Sequence, residues 1–173
     1  MKILYFAIGV IFVYFIIQLI VLPKIRYNNL YNTLKEIAEK NNYHFEVVKN
    51  QLYDFIIYTT NKNLYLTYVK VPRNSIITIN SLRTWRLSWG GSPSKPGRNF
   101  PNQRYLNELS NFLLTKIDDE NGQKVVIVYK KTEKVLMYIN ESELEIVTSK
   151  NSPHGLKVIQ YNNLEKDFFD LLN

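Results

Sequence analysis

Residues 3–22, ILYFAIGVIFVYFIIQLIVL, carry no charged side chain and a single amide, Gln18. A helix rises about 1.5 Å per residue, so this run covers roughly 30 Å, the hydrocarbon thickness of a bilayer. The stretch predicts a transmembrane anchor over residues 1–23 and one globular domain over 24–173. A secretory signal would also begin on a basic residue, and Lys2 supplies one. Its apolar core would span only about 7–15 residues and end on a small-residue cleavage site. Here the run is longer, and Val21, Leu22 and Pro23 are poor cleavage flanks, so an uncleaved anchor is expected. A pilin-like amino terminus lacks its acidic residue in this chain. Tyr14 falls mid-span, facing lipid or a partner helix; Tyr5 lies nearer the start, where tyrosine anchors at an interface.

Lysine and arginine bias sets orientation. The amino-terminal flank offers Lys2, whereas Lys24, Arg26, Lys35 and Lys40 follow the apolar run. The large domain is therefore expected in the cytoplasm. The chain has no cysteine, which fits a reducing compartment and excludes thiolate metal sites and thiol nucleophiles.

The net charge of +7 is unevenly spread. Residues 23–100 hold 12 basic and 4 acidic side chains, residues 101–173 hold 9 and 11. Between Asp54 and Glu108 lie Lys62, Lys70, Arg73, Arg83, Arg86, Lys95, Arg98 and Arg104 with no acid among them. A field of one sign attracts anionic lipid headgroups or nucleic acid. A solvated basic face beside the inner leaflet gives the same pattern.

Pro23 is expected to end or kink the anchor. Tyr27, Leu30, Tyr31, Leu34, Ile37 and Ala38 recur at helical spacing, predicting an amphipathic helix over 26–41 that Asn41-Asn42 ends. Strands are expected at 44–48, 53–60, 64–71 and 75–80, the last extending through Trp85 toward Leu87. Residues 88–104 hold three of the six glycines and three of the six prolines and read as a loop. A helix is expected over 105–117 from Leu106, Leu109, Leu113 and Ile117. KVVIVY at 124–129 reads as a central strand buried on both faces. Strands at 135–139, 144–147 and 156–161 and a closing helix at 164–172 complete the order α-β-β-β-β-α-β-β-β-α. The fold class is α/β or α+β, a sandwich around one mixed sheet.

The chain's two histidines, His44 and His154, fall at a strand start and in a turn, which suits structural roles better than catalysis. Walker and dinucleotide glycine fingerprints are absent, and Gly90-Gly91 alone marks a tight loop. Glu141, Glu143 and Glu145 alternate, so an extended segment puts them on one face, as a solvated edge or a hard-cation site. Arg83, Trp85, Arg86 and Trp89, with Lys95, Arg98 and Arg104 beyond them, form an aromatic–basic cluster. Three readings fit it: stacked bases with bound phosphates, headgroup contact, or a core tryptophan among exposed arginines.

Asp54 begins one strand and Lys70 lies near the end of the next. In the order helix-strand-strand-strand-helix-strand, over roughly residues 26–130, this resembles the PD-(D/E)XK, restriction-endonuclease-like family. The resemblance implies a metal-dependent nuclease in which Asp54 helps hold Mg2+ and Lys70 stabilises charge at a phosphate. Tyr68 stands where the family has its second carboxylate, and a phenol is a poor magnesium ligand. Glu36 or Glu39 of the preceding helix is a candidate substitute. A degenerate, inactive member is expected.

The expected function is therefore a single-pass, membrane-anchored, non-enzymatic binding or scaffold protein with a basic cytoplasmic domain and no cofactor. Its expected partners are the lipid bilayer, a partner membrane protein, and anionic lipid or nucleic acid. Two alternatives remain: a PD-(D/E)XK-type nuclease using Asp54 and Lys70, and an extracytoplasmic subunit of a secretion or envelope assembly.

Overall fold

The structure, a computed structural model, describes residues 2–48, 52–92, 99–140 and 142–173. Helix α1 (Lys2–Ile16) passes through a π-helical turn (Ile17–Val21) into α2 (Leu22–Lys40), and the backbone stays right-handed helical at both junctions. Pro23 therefore neither ends the helix nor breaks it. A proline ring clashes with the carbonyl four residues back and offers no N–H. The wider π turn just upstream makes room for it, the Leu22 N–H reaching back to the Ile17 carbonyl. Asn41 caps the helix and Asn42 adopts φ 55°, ending it where the asparagine pair predicts.

Ten strands follow, in two sheets instead of the expected one. Sheet A runs β1 (His44–Val47), β2 (Phe55–Tyr58), β3 (Asn63–Lys70), β7 (Gly122–Tyr129), β10 (Lys157–Gln160) in spatial order. Strands β1, β2 and β3 form an antiparallel meander; β3 pairs parallel with β7, and β7 with β10. Sheet B runs β6 (Asn102–Tyr105), β5 (Trp85–Trp89), β4 (Ile76–Ile79), β8 (Lys134–Tyr138), β9 (Leu144–Ile146). Its centre is the parallel pair β4 and β8. Six strands, not four, thus precede the next helix: β5 separates from β4 at a turn over 80–84, and β6 lies inside the expected loop. That next helix is also shorter than predicted, a 3₁₀ turn (Asn107–Leu109) and α3 (Ser110–Leu114). The Lys124 amine binds the Phe112 and Leu113 carbonyls at 2.7 and 2.9 Å and terminates it there.

Two cores sandwich sheet A. On one face Leu30, Leu34, Ile37 and Ala38 of α2 pack with Phe55, Ile57, Leu64, Leu66, Val125 and Ile127. The closing segment, α4 (Leu164–Asp167) with a 3₁₀ turn (Phe168–Leu172), covers the same face through Leu164, Phe168 and Leu171. The other face meets sheet B, with Val69, Val126 and Val128 against Ile77, Ile79, Trp85 and Leu87. Strand β7 is buried on both faces, as its run of valines predicts.

The sheets share a corner. Strands β3 and β7 leave sheet A side by side and re-enter as the adjacent pair β4 and β8. Backbone bonds continue through the bend: Val71 N–H to Tyr129 O, Asn74 N–H to Lys131 O, Glu133 N–H to Ser75 O. Asn74 and Lys130 turn the two chains there in the left-handed region, at φ 54° and 78°.

Candidate functional site

The placement of α2 decides which end of the domain lies toward the apolar segment. Tyr27 stacks on Phe55 with ring centroids 5.4 Å apart, and Phe55 sits opposite Leu66 near the middle of β3. Arg26 is a charged neighbour of both Tyr68 and Lys70. At the other end of α2 the chain enters β1 at His44, level with Tyr58 and, beyond it, with Asn63 at the start of β3. Helix α2 therefore runs antiparallel to β3. The C-terminal ends of β3 and β7, and the corner beyond them, sit at the apolar-segment end of the domain. Arg26 is four residues past Leu22, about 6 Å along the axis.

That segment is not a core helix. From Gly9 onward it is long and apolar enough to cross a membrane, with none of the apolar window buried against the protein.

Asp54 and Lys70, the sequence-predicted nuclease pair, fall at the same end of sheet A. Asp54 lies just before β2, opposite Thr67, whose hydroxyl donates to its carboxylate at 2.9 Å. Thr67 and Lys70 are three residues apart on one strand and project to opposite faces. Burial raises the Asp54 pKa, against the Thr67 hydroxyl and the Tyr68 N–H, which favour the carboxylate. Lys70 is exposed, and its pKa is lowered by desolvation and by the positive charges of Arg26 and Lys130. Glu36 and Glu39 are exposed on α2, Glu39 facing Lys35 at 3.7 Å. Among the described residues no three carboxylates or histidines gather as a metal site. Glu141 lies outside the described residues; Glu143 and Glu145 accept hydrogen bonds from Asn140 and Asn151.

The aromatic–basic cluster disperses. Trp85 is 1% exposed in the core between the sheets, so it has no face to offer a base. Its indole N–H has no partner among the described residues. Trp89 is half-buried against the same core. Alternation is the signal for this: Trp85, Leu87 and Trp89 share the inward face of β5. Arg83 sits in the turn at the end of sheet B away from the corner, and Arg86 lies on β5 with its Nε buried and unpartnered among the described residues. Arg104 is held by both Glu108 oxygens at 2.7 and 2.8 Å, a pairing that raises its pKa and lowers that of Glu108. Lys95 and Arg98 lie outside the described residues.

The structure assembles a different basic site, at the corner. A cleft of about 530 Å³ is lined by Arg73, Asn74, Tyr129, Lys130, Lys131, Tyr161 and Asn162, with no carboxylate in its lining. Lys70 and Arg26 continue the positive charge toward α2. The Tyr129 and Tyr161 rings pack at a tilt of 32° with centroids 4.8 Å apart. Thr33 donates to the Asn29 carbonyl, so the 3.1 Å bond between the Tyr161 and Thr33 hydroxyls takes its hydrogen from the tyrosine and fastens this wall to α2. Sequence reading passed over Lys130 and Lys131 because they stand 57 residues from Arg73; only the parallel pairing of β3 with β7 makes them neighbours.

No family model matches the chain, and no curated protein or solved structure is similar to it.

Proposed function

We propose that this is a single-pass, membrane-anchored binding protein whose basic domain lies on the cytoplasmic side and performs no chemistry of its own. One observation carries the reading: a helix with an unburied apolar half continues, unbroken, into a half packed on sheet A through Leu30, Leu34, Ile37 and Ala38. A tether of that kind holds the domain at a defined tilt instead of on a loose leash. The basic flank of the apolar run supports the cytoplasmic side. An open sheet edge supports a binding role. Strand β9 is three residues long, with Leu144 and Ile146 exposed and Ile139 exposed beside it, an edge that a partner chain can cover.

The degenerate PD-(D/E)XK ancestry stays part of the proposal. Its support is the succession of α2, the β1–β2–β3 meander, α3, and β7 parallel to β3, with Asp54 and Lys70 at one end of the sheet. The phenol of Tyr68 in place of a second carboxylate supports inactivity, as does the pairing of Asp54 with Thr67, which projects to the face opposite Lys70.

Three measurements test the reading. The full-length chain is expected to resist alkaline extraction from membranes. A reporter fused after Asn173 is expected to be cytoplasmic; an exported reporter would instead favour the extracytoplasmic envelope subunit. Incubated with magnesium or manganese, the protein is expected to leave DNA intact. Cleavage that Asp54→Ala and Lys70→Ala both abolish would replace this reading with the nuclease.

A further inference from the structure

We infer that the corner cleft is a binding site for the phosphate of an anionic phospholipid headgroup in the leaflet beside the domain. The inference rests on the tethered reading above and names what the tethered face holds.

Four observations converge on it. The cleft gathers cations from two separate stretches of chain, Arg73 on one and Lys130 and Lys131 on the other, and Lys70 beside it feels the charges of both Lys130 and Arg26. Its lining includes no carboxylate among the described residues, in contrast to Arg104, which Glu108 pairs. Its place is the end of the domain from which the apolar helix emerges, the end that would face a bilayer crossed by that helix. Its walls are built. The Tyr129–Tyr161 ring packing and the Tyr161–Thr33 bond fix one side, and the Thr132 N–H reaches Gln160 at the end of β10.

The backbone adds a fifth. Lys130 holds φ 78°, a conformation that glycine adopts freely and a lysine adopts at a cost. Strain of this sort gathers where a side chain is needed in place. A glycine would make the same corner more easily and would remove an amine from the cleft. Burial and the nearby charges of Arg26 and Lys130 disfavour the Lys70 charge, and an anion seated in the cleft beside Lys130 offsets that repulsion.

The test uses the full-length protein in neutral detergent, with native mass spectrometry counting bound lipid. Phosphatidylglycerol is expected to be retained over phosphatidylcholine. Each basic side chain near the surface contributes on the order of fivefold, so Arg73→Gln with Lys131→Gln is expected to cut that preference about 25-fold. Lys130→Gly is expected to lower it about fivefold while leaving thermal stability equal or higher, which separates lost charge from lost fold. Lys35→Gln, on α2 away from the cleft, is expected to change nothing. Equal retention of both lipids, or an undiminished preference in the Arg73/Lys131 variant, overturns the site and leaves the anchor reading standing. Release of the full chain by alkaline extraction overturns the anchor reading instead. Glycerol 1-phosphate that competes at equal concentration shifts the ligand to a free phosphate, and a DNA duplex that displaces phosphatidylglycerol through the same residues shifts it to nucleic acid; either result overturns the lipid assignment.

Discussion

One continuous helix has an exposed apolar half and a half packed on sheet A, and a pair of identical substitutions separates them. Leu34 is 0% exposed between α2 and sheet A, whereas Leu19 is 70% exposed on the apolar half. Truncating Leu34 to alanine removes three carbons and leaves a cavity in the core between α2 and sheet A. Such changes cost 2–5 kcal/mol, and about 3 kcal/mol is expected here. With a urea slope of about 2 kcal/mol/M, the unfolding midpoint falls by about 1.5 M. Leu19→Ala touches no domain contact. It is expected to leave the midpoint unchanged and to weaken membrane insertion by roughly 0.5 kcal/mol. The assay is urea unfolding of the full chain in detergent, followed by tryptophan emission, because Trp85 lies between the sheets and reports on both. Equal shifts for the two variants would refute the reasoning. A large Leu19→Ala shift would place the apolar helix inside protein, and a small Leu34→Ala shift would detach α2 from the core.

Two carboxylates predict opposite pH behaviour. Asp54 has a raised pKa in the fold, so its ionisation opposes folding: the cost is absent below the ordinary aspartate value of 3.8 and complete above the folded value. Asp54→Asn is thus expected to be more stable than the parent at pH 7 and level with it near pH 3, read as the difference between two melting-temperature profiles. Asp119 has a lowered pKa because Asn63, Tyr65 and the Asn121 N–H all donate to it. Its contribution is present above 3.8 and lost as pH falls through the folded value, so Asp119→Asn is expected to be less stable at pH 7, the deficit closing in acid. Glu108→Gln breaks an exposed ion pair with Arg104 and is expected to cost less than 1 kcal/mol, the loss shrinking further at 1 M salt.

Much of the fold is legible in the sequence where burial is one-sided or complete. Leu30, Leu34, Ile37 and Ala38 mark the packed stripe of α2 by spacing alone, and Val125–Val128 mark the centre of sheet A by an apolar run. The failures have physical causes. Strand β6 is exposed at all four positions, so it shows no alternation, and it exists through its pairing with β5. Leu106, Leu109 and Leu113 keep helical spacing and are buried, yet the first two reach the core from or beside a 3₁₀ turn. The second sheet escaped because a bent strand reads as two strands, and nothing local says that β4 and β8 pair with each other.

The basic site went unseen for the same reason, and this bears on what kind of site it is. A linear cluster such as 83–104 advertises charge along the chain, but alternation on β5 sends Trp85 inward, and Glu108 neutralises Arg104. Charge that survives folding is charge that topology concentrates. Here the parallel pairing of β3 with β7 extends across the bend, so Arg73 beyond β3 and Lys130 and Lys131 beyond β7 line the same cleft. The helix that fixes the domain to its anchor crosses over that same end, and Arg26 joins the group as a consequence. Anchor and cleft are thus coupled through α2. Under the proposed anchoring, a flexible tether would let the basic corner point anywhere, whereas a helix packed by Leu30 and Leu34 would keep it toward the bilayer. Inserting two glycines after Lys24 should therefore weaken headgroup retention with every cleft residue intact, and undiminished retention in that variant would break the coupling.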